Sequence, residues 1–262
     1  MLNRGSRIGR LKECKERLEE EARRAAELQK EKIELRKAEE EETGQKKRGR
    51  KPKEPLGEPD LDGKANLTYP DSRIMKTRNG YIQGYNGQAV VTEDQIIVVA
   101  ELVMEENDVR QLNPMVEKAV ENLKAASLEE EPLEIKVVLA DAGYMSESNL
   151  ENRKETVEHL IATKKDWKQR KAMKEALPPK GRIPKGFSLR DKMERKLLTK
   201  RGRSLYKKRG QMIEAVFGQI KSCRKIDRFM RRGFKACAQE WKLICSTHNL
   251  LKIWKKVGMG AA

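Results

Sequence analysis

The middle and C-terminal parts of the chain alternate between short apolar runs and amphipathic stripes, which strongly limits the folds open to it. Two β-rich runs, 84–91 and 95–103, flank Thr92-Glu93-Asp94 and predict a hairpin. A stripe of apolar residues at helical spacing follows at 107–123, and a compact apolar strand is predicted at 135–140. The order of these elements predicts a mixed α/β domain.

The pattern continues with shorter elements. Ser146 begins a predicted helix that extends through Glu155, with Glu147 suited to its first turn. The other expected elements are a strand at 156–162, a basic loop with some helix at 164–200, and two amphipathic helices at 205–222 and 234–255.

The sequence before this pattern changes character twice. Residues 8–42 contain no proline and no glycine after Gly9, and they are rich in Glu, Lys, Arg, Ala and Leu, which favour helix. Their apolar positions are too sparse for a coiled-coil seam. We therefore predict a charged helical spacer at 1–42, a basic linker rich in proline and glycine at 43–65, a folded domain at 66–256 and a tail at 257–262.

Positive charge is concentrated in the last third of the chain. Residues 161–256 hold 30 Lys and Arg against 7 Asp and Glu, whereas the whole chain has a net charge of +17. So many like charges repel one another unless a polyanion binds, which favours nucleic acid over acidic lipid. No apolar run approaches the ~18 residues that span a bilayer, and the N-terminus lacks an apolar signal core, so we expect no membrane association.

Asp141 directly follows the predicted strand 135–140. Reacting groups in α/β sheets gather at the carboxyl ends of strands, and a carboxylate there can bind a hard cation. Gly143 lets the backbone turn sharply after it. The alternative is that Asp141 caps the next turn, and the spacing leaves both interpretations open.

Glu214 lies beside the apolar face of the predicted helix 205–222, between Arg209 and Lys221. One interpretation is a metal-binding carboxylate next to cations that hold phosphates. The other is a salt bridge between Glu214 and Arg209.

An ordered series of motifs resembles one enzyme family. The motifs are Pro70-Asp71-Ser72-Arg73-Ile74-Met75-Lys76, Gly84-Tyr85-Asn86-Gly87-Gln88, Ala140-Asp141-Ala142-Gly143-Tyr144, Met193-Glu194-Arg195-Lys196-Leu197, the block from Tyr206 to Lys221, Arg231-Arg232-Gly233, and Glu240-Trp241 followed by His248-Asn249-Leu250-Leu251-Lys252. Over residues 66–256 the chain resembles DDE-type bacterial insertion-sequence transposases. The resemblance implies an α/β, RNase H-like mixed sheet flanked by helices, and metal-dependent cleavage and transfer of DNA strands.

The resemblance also implies residue roles. Asp141 matches the second catalytic Asp and Glu214 the catalytic Glu, both as ligands of Mg²⁺ or Mn²⁺. Tyr206, Arg209, Glu214 and Lys221 resemble the Tyr-Arg-Glu-Lys signature, although four residues separate Arg209 from Glu214 where the family often has three.

The family's first catalytic Asp has no counterpart in the sequence. No buried strand ending in Asp precedes Gly84, and Asp71 lies after the place where the family has its first strand. We therefore expect a truncated or split transposase in which the first strand is missing, metal binding is weak or absent, and DNA is cleaved poorly or not at all. The alternative is a non-catalytic DNA-binding remnant that partners a full-length transposase.

Double-stranded DNA is the expected partner, and homo-oligomers are a further expectation. Candidate phosphate contacts are Lys207, Lys208, Arg209, Lys221, Arg224, Arg231 and Arg232. Arg48 and Arg50 flank Gly49 and resemble the Arg-Gly-Arg cores that enter A·T-rich minor grooves, with a solvated linker as the alternative.

RNA binding is disfavoured because the few aromatic residues are not interleaved with the basic runs. The resemblance implies a cytoplasmic, nucleoid-associated bacterial protein, and the cysteines are expected to be reduced.

Four residues at helical spacing could suggest a metal site: Cys237, Trp241, Cys245 and His248. A tryptophan within the stripe favours packing in a core helix instead. His159 lies in an apolar run and is expected to be structural. The sequence has no glycine-rich phosphate loop, which argues against nucleotide hydrolysis.

Overall fold

A computed structural model describes residues 6–44, 52–60, 63–77, 80–128, 132–152 and 156–259. The chain divides into two compact units, Met1–Gly84 and Tyr85–Ala262. The domain bounds predicted from the sequence, 1–42, 43–65, 66–256 and 257–262, stay predictions. Arg48 and Arg50 lie outside the described residues.

The first unit is built on one long helix, α1 (Arg7–Thr43). The Ser6 side chain accepts a hydrogen bond from the Gly9 amide at its start, and Gly44 ends it with a positive φ of 63°. The predicted linker contacts this helix at Lys53, whose carbonyl accepts a hydrogen bond from Gln29. Just after the linker, the carbonyl of Asn66 accepts from the buried Cys14 thiol.

A hairpin completes the first unit. Its antiparallel strands are β1 (Arg73–Thr77) and β2 (Gly80–Gly84), and Arg73 binds Glu21 of α1 at 2.5 Å. This hairpin is not among the predicted elements, because most of β2 is exposed and carries no apolar alternation. The strand predicted at 84–91 begins too early, since Gly84 ends β2.

The second unit contains four strands and seven α-helices among its described residues. The strands are β3 (Asn86–Val91), β4 (Ile97–Val103), β5 (Val137–Ala140) and β6 (Glu158–Ile161). The helices are α2 (Leu112–Ala126), α3 (Glu147–Glu151), α4 (Asp166–Glu175), α5 (Leu189–Leu198), α6 (Lys200–Arg209), α7 (Ala215–Gly218) and α8 (Phe234–Met259). Two 3₁₀ turns (Asp108–Arg110 and Ala142–Tyr144) and two π-helical segments (Gly210–Glu214 and Gln219–Cys223) interrupt this order.

The predicted strands form two pairs. Strands β3 and β4 are antiparallel, with Ala89 opposite Ala100, which confirms the predicted hairpin. Strands β5 and β6 are parallel, with Ala140 opposite Ile161. Within the described residues these pairs are separate two-stranded sheets, whereas the sequence predicted one mixed sheet. The mixed α/β class is confirmed.

Helices cover the strands through three apolar clusters. Val99 of β4 packs with Met115 and Ala119 of α2. Ile97 of β4 packs in a different cluster with Trp241 of α8 and with the α7 region. The third and largest cluster joins α2, β5 and β6 to α5 and α6. Among the described residues, no helix is long and apolar enough to cross a membrane.

Candidate active site

Asp141 follows β5 and begins a 3₁₀ turn. Its Oδ1 accepts a hydrogen bond from the Gly143 amide at 2.8 Å, as a capping residue does. The residue also lines a cavity of the unit. Both interpretations of Asp141 are therefore compatible with its position: it caps the turn, and it places a carboxylate at the carboxyl end of a strand.

A second carboxylate, Asp108, lies beside Asp141. A Cβ placed on Gly143 would lie 3.0 Å from Asp141 Oδ1 and 3.3 Å from Asp108 Oδ2, so the two acids flank this glycine. Asp108 was not among the predicted site residues, because residues 107–123 match one helical stripe and an acid in the first turn of a helix is common. Only the packing of two distant turns brings it to Asp141.

Amides from β3 hold Asp108 in place. Asn86 Nδ2 and Gln88 Nε2 each donate to Asp108 Oδ1 at 2.7 Å. The Tyr144 hydroxyl donates to Oε1 of the buried Gln88. Burial, together with the negative charges of Asp108 and Asp141, raises the pKa of Tyr144, which keeps this hydroxyl protonated as a donor.

Glu214 is held by two arginines. Its Oε1 accepts from Arg209 and from Arg170, both at 3.0 Å, and both arginines also bind Asp166. The salt bridge to Arg209 that the sequence offered as an alternative is therefore present, and Arg170 adds a second. The Arg209 side chain is only 11% exposed, whereas that of Arg170 is 59% exposed. Asp166 and Arg170 were missed because more than 40 residues separate them from Glu214 in the sequence.

The extra residue between Arg209 and Glu214 coincides with a π-helical turn. This segment begins at Gly210 and ends at Glu214, directly after α6. A π turn accommodates one more residue than an α turn and is often found at functional sites. Tyr206 of α6 is buried and lies under the Arg209 guanidinium, 5.6 Å from it, while Lys221 is exposed.

The predicted carboxylates and their neighbours line one cavity of about 640 Å³. Asp108, Asp141, Tyr144, Arg209 and Glu214 all contribute to its walls. Burial alone would lower the pKa of Arg209, but Tyr206, Asp141, Glu214 and Asp166 together raise it. The guanidinium therefore stays charged between the predicted acids.

The residues present do not form a complete cage for two hard cations. Among the described residues, no three His, Cys, Asp or Glu side chains converge as metal ligands. The carboxylate of Glu214 accepts from two arginines, and one oxygen of Asp108 accepts from two amides. Two-metal sites need several free carboxylate oxygens, so these acids would have to exchange partners or be joined by a further acid.

The candidate phosphate contacts occupy different environments. Lys207, Lys221, Arg231 and Arg232 are exposed. Lys208 binds Glu93 at 2.6 Å, and Arg224 donates to the carbonyl of Ile244 and to the Thr247 hydroxyl of α8. Arg224 therefore has a structural role that its place in the sequence did not indicate.

The stripe of cysteines and histidine on α8 belongs to the core, as predicted. Cys237, Trp241, Cys245 and His248 are all buried. Burial raises the pKa of Cys245 to about 12, so it remains a thiol. His248 Nε2 and Trp241 Nε1 contact backbone carbonyls of Gln95 and Gln88. His159 is also buried and contacts the carbonyl of Val157, which confirms its structural role.

Together, these features define an α/β domain in which a strand-end aspartate and a helix-borne glutamate line one cavity. A family model described as the transposase DDE domain matches residues 57–250. Because the match covers most of the chain, the chain belongs to this family. No curated protein and no solved structure matches it.

Proposed function

We propose that this chain acts in DNA transposition, as part of an enzyme that cuts DNA at the ends of an insertion sequence and joins the freed ends to target DNA. The observation that carries the proposal is the shared cavity of Asp141 and Glu214, the two acids to which the sequence resemblance assigns the catalytic roles. Asp141 and Glu214 are far apart in the sequence, so it is the fold that brings both of them to one cavity.

The proposal assigns a role to the charge of the last third of the chain. Exposed Lys207, Lys221, Arg231 and Arg232 bind backbone phosphates and keep DNA near the carboxylates. Such contacts position DNA without reading its sequence. The arginines on Glu214 can exchange that carboxylate for a phosphate oxygen when DNA arrives, because a guanidinium binds either anion in the same bidentate geometry.

Slow cleavage by the chain alone is part of the proposal. The carboxylates of the described residues form an incomplete ligand set, so Mg²⁺ or Mn²⁺ binds weakly. The second candidate function is a non-catalytic DNA-binding remnant that partners a full-length transposase. The two arginines that neutralise Glu214 favour this alternative.

A plasmid-nicking assay separates the two functions. The full chain is incubated with supercoiled plasmid and Mn²⁺, beside the variants Asp141→Asn and Glu214→Gln. The matched control is Glu175→Gln, at an exposed position near the end of α4. We expect slow nicking that both site variants abolish and the control retains. DNA binding without nicking would select the remnant, and a chain that neither binds nor nicks DNA would overturn the proposal.

A further inference from the structure

The last helix, α8, carries apolar residues on two opposite sides. Its inner side is buried and packs Trp241, Ile244 and Cys245 into one cluster with Ile97 of β4. Its outer side carries four exposed apolar residues, which recur at intervals of seven, four and three residues: Leu243, Leu250, Trp254 and Val257. Since a turn holds about 3.6 residues, the centres of the two sides lie roughly 150° apart. We call the outer group the exposed stripe.

The exposed stripe is a continuous patch and not a set of scattered side chains. Its four side chains are between 64% and 77% exposed, and Leu251 and Ile253 on its two flanks are about half exposed. Single exposed apolar residues are common on protein surfaces, whereas contiguous apolar patches mark interaction sites. A helix that is apolar on opposite sides is normally covered on both. The exposed stripe is therefore a candidate contact surface.

The size of the patch fits a modest protein interface. Complete burial of an aliphatic side chain removes roughly 60–120 Å² of apolar surface from water, and burial of a tryptophan removes about 150–250 Å². With the exposed fractions above, the stripe and its flanks would bury about 450 Å² per copy, or about 900 Å² in a symmetric pair. Polar residues at the rim would bring this total into the range of weak specific complexes, which lies near 1,000 Å². A dimer with a micromolar dissociation constant is expected.

The exposed stripe complements itself when two copies of α8 run antiparallel. If Leu250 lies on the twofold axis, each residue faces the one that is equally far from position 250 in the other copy. Leu243 then faces Val257, and the large Trp254 faces the small, exposed Ser246. Large residues opposite small ones allow two helices to interdigitate. A twofold interface requires this kind of match, because the same surface is used on both subunits.

The charges of α8 also favour the antiparallel arrangement. Residues 243–251 contain no Lys, Arg, Asp or Glu, whereas Lys252, Lys255 and Lys256 follow them directly. An antiparallel pair places these lysines beside the neutral segment of the other copy, while a parallel pair would place each lysine beside its own counterpart. The positive end of each helix dipole also meets the negative end of the other only in the antiparallel pair.

We propose that the exposed stripe binds a second copy of this chain, with the two α8 helices packed antiparallel about a twofold axis at Leu250. Trp254 is the main anchor of the interface, because it is the largest and most exposed side chain of the stripe and tryptophan often dominates binding energy. The dimer is independent of the chemistry proposed for the cavity. It would bring two copies of that cavity into one particle.

Analytical ultracentrifugation of the full chain tests the dimer. We expect reversible association in the micromolar range. Leu250→Lys and Trp254→Lys should each weaken it at least about tenfold, because each places a charge in the buried centre of the interface. The matched control is Leu128→Lys, at a leucine that is 73% exposed but lies outside α8. The control should change association less than about twofold, since it is remote from the stripe. Circular dichroism checks that each variant folds.

Introduced cysteines test the orientation of the two helices. The exposed Cys223 is first replaced by Ser, whereas the other native cysteines are buried. Leu250→Cys should then cross-link two copies under oxidising conditions, because these positions meet at the axis. Leu243→Cys should not cross-link to itself, since its two copies lie roughly 21 Å apart along the antiparallel pair. A mixture of Leu243→Cys with Val257→Cys should restore the cross-link.

Each of the other outcomes would overturn the proposal. A chain that stays monomeric throughout the micromolar range has no such dimer, and a dimer that Leu250→Lys leaves intact uses another surface. Efficient cross-linking of Leu243→Cys to itself would show a parallel pair. A monomer that binds vesicles of anionic phospholipid, and loses this binding in Trp254→Lys, would assign the stripe to a membrane surface. Asp141→Asn should leave the dimer unchanged, so the nicking assay and the dimer assay can fail separately.

Discussion

Arg209 donates to Oε1 of Glu214 at 3.0 Å across the π-helical turn that begins at Gly210. In an α-helix, residues five apart point in different directions, because each turn holds about 3.6 residues. The wider π turn brings them to the same side of the helix. The additional residue between Arg209 and Glu214 is therefore compatible with the hydrogen bond between their side chains.

The two arginines on Glu214 should differ in their contribution to stability. Replacing the mostly buried Arg209 by Met leaves Asp166 and Glu214 with one partner fewer, and we expect a loss of about 1–3 kcal/mol in the free energy of unfolding. The exposed Arg170→Met is the matched control and should cost less than about 1 kcal/mol. Urea denaturation measures both. Equal losses would contradict the difference in burial.

Gly202 should tolerate no side chain. A Cβ there would collide with the backbone carbonyl oxygen of Lys196, at the junction of α5 and α6. Gly202→Ala should therefore destabilise the protein by about 1–3 kcal/mol or more, because backbone must move. Gly218→Ala in α7 meets no atom within 4 Å and should instead stabilise by about 0.5–1 kcal/mol. Thermal unfolding of the pair tests the prediction, and a stable Gly202→Ala protein would refute it.

Stability should decrease at mildly acidic pH because of His248. Burial, Lys252 and Arg224 lower the pKa of His248 below its ordinary 6.5, although the Gln95 carbonyl opposes them. The unfolded chain then binds the proton more readily than the folded one. The stabilisation is therefore present above pH 6.5 and is lost as the pH falls below it. Denaturation at several pH values across this range should show that the free energy of unfolding of the native chain falls with pH. If His248→Gln kept the same dependence on pH, another group would be responsible.

DNA affinity should depend on the exposed cations. Lys221→Ala, Arg231→Ala and Arg232→Ala should each weaken binding and reduce the slope of log affinity against log salt by about 1, since each removes a phosphate contact. Arg224→Ala is the control, because its guanidinium binds α8. It should lower thermal stability while leaving the salt slope unchanged. Fluorescence anisotropy at salt concentrations from about 50 to 200 mM measures this slope. A slope that none of the exposed-site variants changes would rule out this interface.

The sequence was most informative where a local pattern carried the information. The 37-residue helix α1, the β3–β4 hairpin and the buried stripe of α8 follow from helix-forming composition, alternation and helical spacing. Asp141 was predicted because it directly follows an apolar strand. The β1–β2 hairpin escaped prediction because exposed strands lack a distinctive pattern.

By itself, the sequence determined the α/β class, the family resemblance and the candidate acids Asp141 and Glu214, because these depend on neighbouring residues and ordered motifs. The tertiary structure alone decided which distant groups meet. It brought Asp108 to Asp141 through two packed turns, and Asp166 and Arg170 to Glu214. It also left two strand pairs beside one cavity. Such contacts depend on how distant elements pack together, and no local pattern in the sequence indicates them.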